Sequence, residues 1–415
     1  MFNRIHNFFD RNSVLHASQF GFRKNHNTTH ATLDLLTEVY DNIENDKVSC
    51  LIALDLKKAF DTVNHQILLT KLDHYGIRGL CNKIIHNYLE NRTQFVNVQS
   101  INSLSQFIRC GVLQGSILGP LLFLVYINDL PNALSCNSRF YADDTCLVLS
   151  DSSLDNLQKK YNNEMQITQL WMNLNKLTLN LSKSKALCIC SKSRSQSNDD
   201  IDCFQFGSLQ RVESLTYLGV DIDSKLNFKP HLSKLQNKIS KGIGILFKVR
   251  NLIPEKTLLT LYNSLIFPHL TYGILLWRST FPSYLTSLQI LQNKAIRAIG
   301  KLSWKERVTP TLQRLNILKV ADIHKLEIAK FMHKYSSQSL PSPFSSYFTH
   351  FNKQHQHLTR TSNNFSLPLY SSSKTQRNIK FVGAKLWNSI PNHIRKLTYK
   401  KFTVTYKNFL TQQYE

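Results

Sequence analysis

The spacing of apolar and polar residues opens on two polar helical stretches within residues 1–47, separated where Gly21 and Phe22 break the pattern. Residues 48–56, VSCLIALDL, form a continuous β-branched apolar run, which predicts a strand buried on both faces. Helical spacing then covers 65–75, where Gly76 stops it, and 82–90. TQFVNV at 93–98 and QFIRCGV at 106–112 read as short strands joined by a polar Asn/Ser turn. The segment 117–130 is apolar nearly all round over a helical length, which predicts a buried helix ended by Pro131. SRFYADDTCLVLS at 138–150 sets two apolar arms about Ala-Asp-Asp, a hairpin pattern. An amphipathic helix over 153–177 follows, capped by Asp151, Ser152 or Ser153, and then a strand at 185–191 and a polar loop at 191–200. Beyond it LTYLGVDID at 215–223 reads as one strand, and 230–249, 255–265 and 285–299 as helices. The chain thus shifts from mixed α/β to mostly α. Residues 335–376, rich in Ser, His, Thr and Pro, read as loop or linker before a closing segment with Phe381, Trp387 and Phe409.

Charge adds the first hint of a partner. Fifty-one Lys and Arg against 27 Asp and Glu leave +24 over 415 residues, enough chain for two or three domains. A balance that basic favours polyanions, nucleic acid before membrane, because clustered cations release counterions from phosphates. The eight cysteines (Cys50, Cys81, Cys110, Cys136, Cys146, Cys188, Cys190 and Cys203) form no CxxC pair, which argues against a zinc knuckle or disulfide framework and suits a reducing compartment. The start MFNRIHNFFDRN is no signal peptide, and the longest apolar run, 117–127, is too short for a bilayer and contains Pro120. The reading is therefore a nuclear or cytoplasmic protein with no membrane partner.

Three carboxylates carry the candidate chemistry. Asp55 stands at the end of the buried strand, and Asp143 and Asp144 stand in the turn of the 138–150 hairpin. A carboxylate at the edge of an apolar strand is costly unless it is paired or binds a cation. Turn chemistry for Asp143–Asp144 and helix capping for Asp55 would also account for them singly. If the two strands are neighbours, however, the carboxylates converge and repel, and hard oxygen ligands of this kind suit Mg²⁺. Two such ions about 4 Å apart serve in-line phosphoryl transfer.

The order of the motifs resembles reverse transcriptases, specifically those of jockey-like non-LTR retrotransposons. The resemblance is carried by QFGFRKNHNTTHA (19–31), ALDLKKAFDTVNH (53–65), GVLQGSILGPLLFLVYINDL (111–130), FYADD (140–144), LNLSKSK (179–185) and TYLGVDID (216–223), in register. It continues through LYNSLIFPHLTYGILLW (261–277) and LQNKAIRAI (291–299) and weakly to KLWNSIPNHI (385–394). It implies an α+β fold: a right-hand polymerase palm, an antiparallel sheet packed on helices, with a helical thumb and a C-terminal extension. Residues 1–47 would be a remnant of the fingers, 48–228 the palm, 229–304 the thumb, and 305–415 an extension of unknown role that binds RNA or only packs.

Position by position, the resemblance makes Asp55, Asp143 and Asp144 a catalytic triad holding two Mg²⁺ ions, with Mn²⁺ as a substitute and the Leu56 carbonyl as a further ligand. Phe60 matches the aromatic residue that excludes a ribose 2′-hydroxyl; core packing is its alternative. Gln114 and Gly115 match the loop touching template and nucleotide. Lys183 matches a basic residue near the triphosphate, otherwise a solvated lysine. Arg23 and Lys24 would touch the template or primer backbone, and Lys234, Lys238, Lys241, Lys248 and Arg250 would line the duplex. Asp61, Asn128 and Asp129 carry no assigned chemistry beyond helix capping. The partners implied are an RNA template, a DNA primer and dNTPs, with no protein partner named.

One departure from the family pattern adds an expectation. Gln19 lies 18 residues after Met1, where relatives carry a longer fingers segment and usually an endonuclease further upstream. On this reading nucleotide binding is impaired and target nicking absent. Two functions follow: an RNA-directed DNA polymerase, or a retrotransposon fragment that binds nucleic acid without catalysis.

Overall fold

The computed structural model describes residues 1–191, 204–278, 280, 282–350 and 364–414; the loop expected at 191–200 falls almost wholly outside them, as does Cys203. The chain divides into two compact units, residues 1–31 with 47–212 and residues 32–46 with 213–415. Both mix helix with sheet, and the fold is α+β, as expected.

In the first unit, helix α1 (Phe2–Arg11) is followed by α2 (Thr28–Glu44), which runs on into the second unit. Strand β1 (Val48–Leu54) takes the centre of a five-stranded sheet because its apolar run buries both faces. Helices α3 (His65–His74) and α4 (Gly79–Leu89) come next. The predicted pair at 93–112 is finer-grained than expected: β2 (Thr93–Gln94) pairs with β5 (Gln106–Phe107), and β3 (Asn97–Val98) with β4 (Ile101–Asn102) inside it. All four of these strands are exposed.

Helix α5 (Leu118–Ile127) is apolar throughout and buried almost entirely. Pro120 fits in its first turn, where a missing N–H costs nothing. Pro131 does not simply end this helix. It opens a second short one, α6 (Leu130–Ala133), because a fixed φ suits a first turn. The buried Tyr126 hydroxyl donates to the Asn175 carbonyl at 2.5 Å and accepts from the Asn64 amide at 3.3 Å.

Strands β6 (Asn137–Tyr141) and β7 (Asp144–Asp151) form the hairpin, and β7 lies antiparallel to β1 from Val48↔Asp151 to Leu54↔Thr145. Helix α7 (Leu154–Leu174) starts at Ser153, whose hydroxyl is the cap. Strand β8 (Lys185–Ile189) borders β1 on its other side, and β9 (Gln210–Arg211) adds a short parallel edge.

The second unit begins with a correction. Residues 215–223 are not one strand but a hairpin, β10 (Ser214–Tyr217) and β11 (Val220–Asp223). Leu218 and Gly219 both take positive φ between them, the backbone of a tight hairpin turn. The Asp223 carboxylate accepts from the Lys225, Asn227 and Phe228 amides and so fixes the entry to α8 (Lys229–Val249). Then come α9 (Glu255–Leu265), α10 (Phe267–Thr271), α11 (Ile274–Trp277), α12 (Pro282–Ile299), α13 (Thr309–Arg314), α14 (Val320–Ser336), α15 (Ile379–Ser389), α16 (Asn392–Arg395) and α17 (Tyr399–Gln412).

The closing segment packs against residues 32–46 in this unit. Tyr370 donates to Asp41 at 2.8 Å, Lys380 pairs with it at 2.7 Å, and Tyr347 donates to Asp34 at 2.5 Å. The Ser371 amide donates to Glu44 of the same helix, α2, at 2.6 Å. Among the described residues no helix is long and apolar enough to cross a membrane.

The core assignment has a direct check. Leu124, fully buried in α5, should lose about 2–5 kcal/mol of stability on replacement by Ala, read from denaturant unfolding. Leu104→Ala, at a residue 85% exposed, should stay within about 0.5 kcal/mol of wild type.

Candidate active site

The register of the central ladder brings the acids together. Leu54, the last residue of β1, pairs with Thr145, so Asp55, one position beyond the strand, is brought beside Asp144 at the start of β7. Tyr141 pairs with Asp144, which leaves Ala142 and Asp143 as the two-residue turn. Ala142 takes φ +59°, a left-handed value that costs a non-glycine residue energy unless its surroundings enforce it.

The surroundings do enforce it. The segment 18–20 lies along β6: Phe140 donates to the Ser18 carbonyl at 2.9 Å, and Phe20 donates back to Phe140 at 2.7 Å. Gln19 is buried, and its Oε1 accepts from the Gly21 amide at 2.8 Å and from the Ala142 amide at 3.1 Å. Gly21 comes so close that a Cβ there would stand 2.4 Å from the Ala142 nitrogen. Arg23 holds this segment in turn, donating to the carbonyls of His16 at 2.9 Å and Gln19 at 3.1 Å. Its guanidinium is committed to that loop, whereas Lys24 is exposed. Sequence reasoning noticed Arg23 and Lys24 here but missed Gln19 and Gly21; the available signal was a glycine flanked by aromatic residues in a polar stretch.

Asp55 is held from the opposite side. Its amide donates to the Ser184 hydroxyl at 3.0 Å, its carbonyl accepts from the Asn180 amide at 2.8 Å, and its Oδ2 accepts from Asn180 Nδ2 at 2.8 Å. Leu56 bridges to Leu179, so its backbone is pinned to the same loop. Lys183 lies in that loop with its side chain exposed. Asn180 is the residue that sequence reasoning passed over, although it stands within the quoted LNLSKSK run.

Electrostatics record the convergence. Burial pushes the Asp143 carboxyl upward, and the charge of Asp55 adds to it. Crowding by protein and then repulsion from Asp143 and Asp55 push Asp144 up from 3.8 to about 6. Water tempers the first of these because Asp144 remains exposed, while the like charges persist. Among the described residues no group of three or more His, Cys, Asp or Glu side chains is gathered closely enough to hold a metal ion. The three carboxylates stand along one sheet edge, and the charge of Asp55 bears on both Asp143 and Asp144. That donor set fits a hard divalent cation, which would neutralise it.

The remaining residues form a second cluster beside Phe60. The Phe60 ring is half-buried and stacks on Phe123 at 4.5 Å between centroids. Its carbonyl accepts from the Val112 amide at 2.8 Å, and Gly111 donates to Val63 at 2.7 Å, tying 60–63 to 111–112. Gly111 has φ +92°, and a Cβ on it would meet the Asp61 carbonyl at 2.7 Å. Gln114 donates to Asp61 at 2.6 Å, and Gly115 is open at φ +77°.

Helix capping, expected to account for Asp61, Asn128 and Asp129, does not. Asn64 caps α3 instead, and Asp129 pairs with Lys71 at 2.7 Å. Asn128 is buried and binds the backbone of Val14 and His16, both at 2.8 Å. In the second unit Lys234 is engaged by Asp221 at 2.8 Å, while Lys238, Lys241 and Lys248 are exposed on α8 and Arg250 half-buried just beyond it.

Residues 1–222 match the family described as "Reverse transcriptase (RNA-dependent DNA polymerase)". A probable RNA-directed DNA polymerase from transposon BS of Drosophila melanogaster is 27% identical over 81% of this chain and 38% of its own length. The RNA-directed DNA polymerase from mobile element jockey of the same species is 26% identical over 80% of this chain and 37% of its own length. The chain therefore spans little more than a third of these relatives. Among solved structures, apo telomerase from Candida tropicalis is a distant likeness: 13% identical, covering 81% of this chain and 58% of that one, with a TM-score of 0.40.

Two expectations follow from the site. Replacing Asp144 by Asn should raise the melting temperature of the cation-free protein above pH 6. The folded carboxyl keeps its proton up to about pH 6, while the unfolded one releases it near 3.8. Wild-type stability therefore falls as pH rises through that window and stays lower above it, and the two proteins should coincide below about pH 4. Gly21→Ala should cost about 1–3 kcal/mol, because the new Cβ meets backbone. It should also speed hydrogen exchange at Phe20 and Ala142. Gly244→Ala, which meets open space within α8, should be neutral or stabilising.

Proposed function

Because the chain belongs to the reverse transcriptase family, in its non-LTR retrotransposon branch, we propose that it is the core of an RNA-directed DNA polymerase. It extends a primer 3′-hydroxyl with dNTPs on an RNA template. The observation that carries the reading is the register setting Asp55 beside Asp144, with Asp143 in the adjoining turn. The family works with divalent metal ions, and here we assign two Mg²⁺ to Asp55, Asp143, Asp144 and the Leu56 carbonyl, with Mn²⁺ as a substitute. In this reading residues 48–228 are the palm, 229–304 the thumb, 1–47 belong to the fingers, and 305–415 are the extension.

When bound, the two ions would lower the pKa of the primer hydroxyl and neutralise the departing pyrophosphate. The protein's own task is positioning. Asn180 and Ser184 fix the side chain and amide of Asp55, and Gln19 fixes the turn that carries Asp143 and leads into Asp144. The stacking of Phe60 on Phe123 leaves the Phe60 ring half-exposed and stiff, which suits a steric gate against a 2′-hydroxyl. Gln114, braced on Asp61, and the open backbone at Gly115 suit contact with template and nucleotide. Lys183, exposed in the loop that grips Asp55, is the candidate donor of a proton to pyrophosphate.

Nucleic-acid contacts in this reading rest on exposed cations. Lys24 in the first unit and Lys238 and Lys241 on α8 are free to meet phosphates. Arg23 and Lys234, already engaged within the protein, contribute through the loop and strand they hold.

Primer extension on poly(A)/oligo(dT) with Mg²⁺ tests the proposal. Wild type should incorporate dNTPs, and Asp55→Asn or Asp144→Asn should lower the rate roughly a hundredfold or more. Phe60→Val should admit rNTPs while dNTP incorporation persists. No incorporation by wild type with any divalent ion would leave the reading of a catalytically silent, nucleic-acid-binding fragment.

A further inference from the structure

The loop between α12 and α13 lies far along the chain from the carboxylates. Of the four tryptophans, Trp171, Trp277 and Trp387 are buried, whereas Trp304 is 80% exposed. An indole presented to water in that way buries little of its surface within the fold and leaves a ring face open to a partner. The loop is not slack. The Ser303 amide donates to the Glu306 carboxylate at 2.7 Å, and hydrogen bonding from the Ser303 side chain and then its amide holds that carboxyl below its ordinary range. Arg297 donates to the Glu306 carbonyl at 3.2 Å and lies over the Trp304 ring, 5.8 Å from its centroid. The ring is thus braced on one side by a guanidinium while its surface stays largely open.

Cations are dense in the adjacent sequence. Lys294, Arg297, Lys301, Lys305 and Arg307 stand within residues 294–307 against the single acid Glu306, five positive charges less one, or +4. All of these cations but Arg297 are exposed, and none of the five is in an ion pair among the described residues. An exposed aromatic ring set among unpaired cations matches one ligand chemistry closely: a base with an open face, carried on a phosphate chain. A paired base in a duplex keeps its faces stacked and cannot offer one. We propose that the 297–307 loop binds single-stranded nucleic acid, with an unpaired base stacked on Trp304 and flanking phosphates on Lys301, Lys305 and Arg307. This goes beyond the polymerase reading and does not depend on catalysis at Asp55.

The test is made on the full chain without divalent ions, using tryptophan emission. Iodide-quenchable emission should come from Trp304, because the other three indoles are buried. A single-stranded oligo(dT) or oligo(U) should quench that component in wild type and leave the emission of Trp304→Phe unchanged, with the two oligomers comparing DNA and RNA. Trp304→Ala should weaken single-strand binding roughly 5- to 150-fold, the range expected for one stacked base. Lys305→Ala with Arg307→Ala should reduce the slope of log affinity against log salt by about 0.7 per lost contact. The proposal is overturned if single strands bind without changing the exposed emission, or if Trp304→Ala binds as tightly as wild type. It is overturned equally if a duplex or inorganic polyphosphate quenches Trp304 as strongly as the single strands do.

Discussion

Three like charges at one edge of a sheet are the constraint around which the first unit is organised. The charge of Asp55 raises the proton affinity of Asp143 and Asp144, and Asp144 is pushed up to about 6 by crowding and by its two acidic neighbours. Left alone, such an edge would splay. Two independent grips hold it, one on each strand. Asn180 and Ser184 secure Asp55, while Gln19 and the close approach of Gly21 secure the hairpin turn. The strands themselves are anchored deeper, since β1 is buried on both faces and pairs with β7 on one side and β8 on the other. Rigidity is supplied by the core, and the charge cluster is presented at its rim.

The second unit solves a different problem. It is largely helical and basic, so it must hold a core together while leaving cations outside. Its buried acids serve that end: Asp223 gathers three amides at the start of α8, and Asp221 takes the Lys234 ammonium. The acids of α2 do the same for the closing segment through Tyr347, Tyr370 and Lys380. With these acids turned inward, the exposed lysines of α8 and of the loop around Trp304 keep their charge for an outside polyanion.

Much of this was legible in the sequence because local physics sufficed. The β-branched run at 48–56 could only be a buried strand, and the arms about Ala-Asp-Asp could only pair across a tight turn. Nearest-neighbour spacing also gave the helices at 65–74, 118–127, 154–174, 229–249, 255–265 and 282–299 to within a few residues, whereas those at 320–336, 379–389 and 399–412 went unread. What escaped depended on contacts distant in sequence. Gln19 reaches Ala142 across 123 residues and Asn180 reaches Asp55 across 125, and no periodicity marks either. Capping seemed enough for Asn128 and Asp129 because both precede a proline-led turn, yet each is taken up by a remote partner, Val14 and His16 for one and Lys71 for the other. The 215–223 hairpin was read as one strand because Leu218–Gly219 interrupts an apolar run without a polar residue to signal the turn.

In the proposed function Asp55, Asp143 and Asp144 act together as one divalent-cation site. Anomalous diffraction from crystals soaked in Mn²⁺ measures that most directly. Anomalous peaks should lie at the sheet edge within coordination distance of all three carboxylates, about 2.0–2.3 Å from their oxygens, and should vanish in Asp144→Asn. Full Mn²⁺ occupancy elsewhere with none at that edge, or peaks unaffected by the substitution, would contradict it.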